Sequence, residues 1–238
     1  MRILGVSSSP LYEGHTARLV RSALSGAEAA GGEVDEVHLP GVRINPCQGC
    51  LTCMATGTCV LSDDFGMLRQ RLLEADGWIL GSPTYGMTIN AQMKILFERL
   101  GMFAVYTSLF EDKYVVGIST AGGMGARRTA KHLTEIVGGF FGSGRRSGIL
   151  AIHRGWEDID ATAQARAVAL GRRLVSDVRT SRPYRFQRLG GRFIGRVAVA
   201  SMVRSSILEH RHDRMKAVYE TLVARGKLRP PRDEGISR

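Results

Sequence analysis

All four cysteines of the chain, Cys47, Cys50, Cys53 and Cys59, fall within thirteen consecutive positions, spaced C-x2-C-x2-C-x5-C. Four thiolates this close in sequence can close around one metal centre, because tight turns let Cys47, Cys50 and Cys53 face a common point. Gly49 and Gly57 give the backbone the freedom such a wrap requires. Four-cysteine ligation with two-residue gaps is a common way of holding a [4Fe–4S] cluster. With no other cysteine available, one cluster must take all four. Three plainer outcomes compete. A zinc site usually draws its cysteines from two pairs separated by a longer spacer. A disulfide needs an oxidising compartment, whereas the chain opens without a signal peptide and reads as cytoplasmic. The third outcome is a set of free structural thiols. Thr52, Thr56 and Thr58 lie within the run and could donate hydrogen bonds that tune a cluster.

The segments around this loop alternate between strand and helix patterns. Strands are expected at Arg2–Val6, Val34–Leu39, Trp78–Gly81, Tyr114–Ser119 and Ile149–Ile152. Helices are expected at His15–Ala30, from an Asp63 or Asp64 cap to about Ala75, at Ile89–Phe103, after Gly123 to about Val137, and at Ile159–Val178. Five strands separated by helices predict a five-stranded parallel sheet with right-handed crossovers, a doubly wound α/β fold. Ligands of such sheets bind beyond the carboxyl ends of the strands, which singles out three loops. The first runs from Ser7-Ser8-Ser9-Pro10 to Gly14-His15-Thr16, where small hydroxyls and a helix N-terminus suit a phosphate. Neither GxGxxG nor GxxxxGK[ST] occurs there, which excludes the dinucleotide fingerprint and the P-loop. The second is Ser82-Pro83-Thr84-Tyr85-Gly86-Met87, whose tyrosine ring could stack on a flat aromatic ligand. The third is Ser119-Thr120-Ala121-Gly122-Gly123, small enough for close backbone approach. The second and third carry no charged side chain.

The 238 residues suffice for one or two domains, and no apolar run approaches the ~20 residues of a membrane span. The net charge of +11 is concentrated at one end: from Arg179 onward 15 Lys and Arg face 5 Asp and Glu. We divide the chain into residues 1–180, with the cysteine loop at 46–60, and a basic helical extension at 181–238. In the extension Arg185, Arg188, Arg192 and Arg196 recur at helical spacing around Gly190-Gly191, and a second helix is expected from Ile207 to Arg225. A solvated helical surface packed on the core or on a neighbouring subunit is the plainer account of the charge, and attraction to an acidic partner the sharper one; no nucleic-acid motif accompanies it. His210 and His212 read as an exposed helix surface, and Asp63-Asp64 as a helix cap. No general acid or base is assigned.

Together the three loops resemble those of the flavodoxin-like, NADPH-dependent FMN reductase superfamily. The cysteine run before Asp63-Asp64 looks like the compact motif of its iron–sulfur flavoprotein branch. Ala75–Tyr85, Met93-Lys94 and Glu98-Arg99 read the same way, so the resemblance covers about residues 1–178. It implies a flavodoxin-like fold that binds FMN, with the phosphate on Ser7, Ser9 and Thr16. Pro83, Thr84, Tyr85 and Gly86 would flank the isoalloxazine, and Thr120, Ala121, Gly122 and Gly123 would contact the ring or ribityl side. It further implies one [4Fe–4S] cluster on Cys47, Cys50, Cys53 and Cys59, and a homodimer or homotetramer. The chain departs from relatives at Leu11, where they carry arginine, and at His15, where they carry asparagine. The loss of that cationic phosphate contact weakens FMN binding unless His15 or an arginine elsewhere compensates. The implied activity is a flavin-dependent oxidoreductase coupling one-electron and two-electron carriers, fed by ferredoxin docked on the basic face or by NAD(P)H. The alternatives are a cluster-free NAD(P)H-dependent FMN or quinone reductase, and a zinc-stapled nucleic-acid-binding protein.

Overall fold

Short apolar runs, each fed by a helix that crosses back over the sheet, set the architecture. The computed structural model describes residues 1–138, 144–153, 155, 157–184 and 195–230. In chain order the elements are β1 (Arg2–Ser7), α1 (His15–Ala29), β2 (Glu33–His38), α2 (Thr52–Thr56), α3 (Phe65–Glu74), β3 (Gly77–Tyr85) and β4 (Thr88–Ile89). There follow α4 (Ala91–Thr107), β5 (Tyr114–Ala121), α5 (Ala126–Leu133), β6 (Arg145–His153), α6 (Ala161–Arg179), α7 (Gly195–Glu209) and α8 (Lys216–Ala224). Strands β2-β1-β3-β5-β6 pair in that order and are all parallel, as the expected doubly wound sheet requires.

Alternate side chains of each strand enter opposite faces. Leu4, Val6, Trp78, Leu80 and Val115 pack under α3, α4 and the end of α5. Ile3, Ile79, Val116, Ile118 and Leu150 pack under α1 and α6. The last two helices touch almost backbone to backbone. A Cβ placed on Gly171 would lie 1.8 Å from the Ala23 carbonyl oxygen, and one on Gly26 2.1 Å from that of Val168.

Three expectations are corrected. The third strand does not stop at Gly81 but continues through Pro83 to Tyr85, and Ile89 belongs to a strand rather than to a helix. Gly86 (φ 55°) and Met87 (φ 69°) form a two-residue left-handed turn that folds β4 back antiparallel on β3, pairing Thr84 with Ile89 and Tyr85 with Thr88. Helix α4 then starts at Ala91, because the Asn90 side chain accepts the Met93 amide as a cap. The single helix expected from Ile207 to Arg225 is two, α7 and α8. Between them the His210 carbonyl accepts the amides of Asp213 (3.2 Å) and Met215 (2.9 Å) and turns the chain. The helix expected around Arg185, Arg188 and Arg192 lies outside the described residues, as does the side chain of Arg196. Among the described residues no helix is long and apolar enough to cross a membrane.

The approach of α1 to α6 has a testable sign. Replacing a helical glycine by alanine ordinarily stabilises by ~1 kcal/mol. Gly171→Ala instead forces a methyl into a carbonyl, and urea unfolding should show a loss of about 1–3 kcal/mol. A gain in stability would mean that the two helices separate freely.

Candidate functional site

The loops leaving β1, β3, β5 and β6 enclose a cavity of about 880 Å³ at the carboxyl edge of the sheet. That volume suits a cofactor-sized ligand. Ser9, His15, Thr16, Pro83, Thr84, Tyr85, Thr120, Ala121, Gly122 and Gly123 all line it, so three loops far apart in sequence converge as expected. Ser7 and Gly86 are not on its wall. Ser7 is buried beneath the first loop, where its Oγ accepts the Ser9 amide (3.3 Å), and Gly86 turns the β3–β4 hairpin. The Tyr85 ring is 55% exposed at the mouth, which is not how a core tyrosine sits.

Short hydroxyl side chains tie the loops together. The amide and hydroxyl of Ser8 both donate to the Gly81 carbonyl (2.9 and 3.2 Å), and Asn90 Nδ2 donates to the Ser8 carbonyl (2.6 Å). Thr16 Oγ1 meets Thr120 Oγ1 at 2.7 Å. Thr84 Oγ1 meets Ser119 Oγ at 2.9 Å and donates to Thr129 Oγ1 at 3.0 Å. Ser9 Oγ turns back onto the Leu11 carbonyl (2.8 Å), and a Cβ on Gly14 would come within 2.5 Å of that hydroxyl. Gly14 precedes α1 in an extended conformation and no side chain caps the helix, so its first-turn N–H groups face the loop uncapped.

A cation stands one turn into α1. Arg18 lines the same cavity, and its Nη1 donates to Asp158 Oδ1 (2.6 Å); His15 Nε2 lies 3.2 Å from that same oxygen. The Arg18 hydrogen bond, then the Ile159 amide, hold the Asp158 carboxyl below its ordinary range. Sequence reasoning missed Arg18 and Asp158. The His15-to-Arg18 step of three, which puts both on one helix face, was the available signal.

The four cysteines meet at a second place. All four are free thiols, and all line one small cavity of about 20 Å³ together with Arg99 and Met102. The chain reaches this arrangement through left-handed residues at Gly49 (φ 66°), Leu51 (φ 59°) and Gly57 (φ 77°) around the one-turn α2. A leucine in that region is strained by ~1–2 kcal/mol, and such strain concentrates at working sites. Burial raises the Cys53 thiol above its ordinary pKa, and the charges of Cys59, Cys47 and Cys50 add to the rise. Cys50 shifts the other way, chiefly through hydrogen bonds from the hydroxyl and amide of Thr52. The Thr56 hydroxyl instead donates to the carbonyls of Thr52 (3.0 Å) and Thr58 (3.1 Å), so it stiffens the loop. Among the described residues no three Cys, His, Asp or Glu side chains stand close enough to hold a metal ion. The four cysteines share the wall of that cavity.

Asp63 is more than the helix cap expected of it. Helix α3 starts at Phe65, after Asp64, and the Asp63 carboxylate is fully buried. It accepts Arg99 Nη1 (2.7 Å) and Nη2 (3.0 Å), the Asn45 amide (2.9 Å) and the Phe65 amide (3.2 Å). Arg99 Nη1 also donates to the Asn45 carbonyl (2.8 Å), and the guanidinium lies over the Phe65 ring. These bonds, those from Arg99 first, hold the Asp63 carboxyl well below the usual carboxylate range. On its other side the cysteine loop rests on the C-terminal helices. Met54 is buried among Phe103, Val203, Ile207, Val218 and Leu222, with Cys53 packed against the same cluster.

A family model described as NADPH-dependent FMN reductase matches residues 1–157. An iron–sulfur flavoprotein of Methanocaldococcus jannaschii is 41% identical over 99 residues, 42% of this chain and 51% of that protein. One of Archaeoglobus fulgidus is 36% identical over 125 residues, 52% of this chain and 56% of that protein. The chain thus spans little more than half the length of these relatives. Among solved structures, a flavone reductase superposes with a TM-score of 0.60 at 19% identity, covering 75% of this chain and 63% of that one. An NAD(P)H:quinone oxidoreductase from Methanothermobacter marburgensis gives 0.52 at 15% identity, covering 75% and 98%. At those identities the two structures bear on the fold alone.

If the C-terminal helices hold the cysteine loop down, Met54→Ala should free it. In metal-free protein, alkylation of Cys53 followed by mass spectrometry should accelerate about tenfold or more, equivalent to ~1.4 kcal/mol of lost packing. An unchanged rate would show that α8 does not restrain the loop.

Proposed function

This chain belongs to the NADPH-dependent FMN reductase family, and from that footing we propose a flavin-dependent oxidoreductase of the iron–sulfur flavoprotein kind. It holds FMN in the sheet-edge cavity and one [4Fe–4S] cluster on Cys47, Cys50, Cys53 and Cys59. The observation that carries this reading is the convergence of three sequence-distant loops on one cavity while all four cysteines line another. When bound, FMN exchanges one or two electrons and the cluster one at a time, so the pair couples the two kinds of carrier.

The chain's own residues bind and orient. Ser9, His15, Thr16 and Arg18, with the N-terminus of α1, suit the phosphate. Pro83, Thr84 and Tyr85 flank the ring, and Thr120, Ala121, Gly122 and Gly123 let the backbone approach it. On the cysteine side the donor set fits a cluster and Arg99 supplies positive charge beside it. The cavity of about 20 Å³ holds roughly one water. The alternative is a second reading, a cluster-free FMN or quinone reductase using NAD(P)H, in which the four cysteines are bystanders.

Residues 1–180 form the FMN-binding unit and 181–238 the basic extension in this reading. The extension suits an acidic electron donor such as ferredoxin, because opposite charges steer encounter. A homodimer or homotetramer in a reducing cytoplasm, where thiols stay free, completes it.

Anaerobically purified protein should show two flavin absorption bands over a broad iron–sulfur shoulder, with iron and sulfide in equal amounts. Flavin without iron would establish the second reading, and colourless protein would overturn both. Arg18→Ala should weaken FMN binding by about ten- to a hundredfold, the loss of a charge-assisted hydrogen bond. Riboflavin, which lacks the phosphate, should bind both forms alike in a fluorescence titration. Equal weakening of the two ligands would place Arg18 away from the phosphate.

A further inference from the structure

We propose that Arg99 positions the cysteine-held cluster and sets its reduction potential, with Asp63 as the counter-charge that holds Arg99 in place. The inference rests on the iron–sulfur reading above and extends it to residues that are not ligands.

Three observations support it. Arg99 reaches from the middle of α4 into the wall of the cavity that the four cysteines line, and Asp63 is not on that wall. The side chains of both are essentially inaccessible, at 1% and 0% exposure. The ion pair therefore presents its cationic end to the sulfurs and its anionic end to the Asn45 and Phe65 amides. Finally, the fork of Arg99 is only partly used. Both Nη atoms are engaged with Asp63 and Asn45, while Nε is buried without a hydrogen-bond partner. A buried donor left unpaired costs free energy, and a sulfur acceptor beside it removes that cost.

The pair also closes the loop mechanically. Asn45 stands two residues before Cys47, and Asp63 four residues after Cys59. Arg99 joins both ends of the cysteine run to one helix through its bonds to the Asn45 carbonyl and the Asp63 carboxylate. Burial opposes the charge on Arg99, but Asp63 and the neighbouring Cys59 outweigh it, so the guanidinium stays cationic.

The electrostatic consequence has a definite sign. Reduction adds negative charge to a centre already surrounded by thiolates. A fixed cation beside it favours the reduced form and raises the potential. Asp63, behind Arg99, works against this from farther away. Removing the cation and removing its counter-charge should therefore shift the potential in opposite directions, although both break the same ion pair.

The test uses iron-loaded full-length protein and an EPR-monitored redox titration of Arg99→Gln, Asp63→Asn and Arg99→Lys. A lower potential in Arg99→Gln, a higher one in Asp63→Asn and a value near wild type in Arg99→Lys support the proposal. Iron loss to a chelator should accelerate about 10- to 100-fold in Arg99→Gln and Arg99→Lys, because neither keeps the two-armed fork. Potentials that move in the same direction in Arg99→Gln and Asp63→Asn, or that do not move, overturn it and leave a structural staple. If Arg99→Gln fails to take up iron, Asp63→Asn decides alone: an upward shift supports the proposal and any other result overturns it. Wild-type protein without iron would sink the underlying reading instead, so the two failures are distinguishable.

Discussion

Parallel pairing obliges every strand of the sheet to present its carboxyl end at the same edge, and the rest of the molecule is arranged around that constraint. Residues as distant in sequence as Thr16 and Thr120 share a hydrogen bond because β1 and β5 both finish there, flanking β3. The wall of the large cavity is consequently made largely of loop starts, with small hydroxyls and glycines beside larger side chains such as His15, Arg18 and Tyr85. Such a wall can fit a flat ligand and a phosphate together, since the glycines let the backbone come close.

The two faces of the sheet solve different problems. On one face α1 and α6 come close enough to exclude a methyl group, which locks the helix that delivers His15, Thr16 and Arg18 to the cavity. On the other, α3 and α4 cover the larger apolar cluster, and the cysteine loop lies over their outer ends. There α7 and α8 add a third cluster that buries Met54. The charge of the C-terminal extension is thus only its outer half. Val218 and Leu222 make it part of the floor beneath the cysteines, and the same helix turns Lys216 and Glu220 outward.

Much of this was legible in the residues. The five parallel strands follow from their apolar runs, and the three loops at the cavity from the rule that ligands sit beyond strand ends. That four cysteines so close in sequence come to one wall follows from their spacing. What the residues did not disclose are contacts with no local period. The Arg99–Asp63 pair joins α4 to a position 36 residues earlier, and Asp63 already had an adequate local explanation as a helix cap. The β3–β4 hairpin was hidden because Met87 adopts a left-handed conformation that its side chain gives no reason to expect. The break between α7 and α8 involves neither glycine nor proline; main-chain bonds to the His210 carbonyl make it. Arg18 lies one turn inside α1, beyond the loop whose composition marks the site, and only its three-residue step from His15 signals it.

Helix α4 touches both sites. Asn90, its cap, holds the Ser8 carbonyl of the first loop, and Arg99, nine residues on, holds the cysteine loop. At 1.5 Å per residue these grips are spaced ~13.5 Å along one rigid rod. A single inserted or deleted residue between them would swing Arg99 by ~100° about the axis and take it out of reach of Asp63. The interval from Asn90 to Arg99 works as a gauge that sets the first loop and the cysteine loop at a fixed spacing.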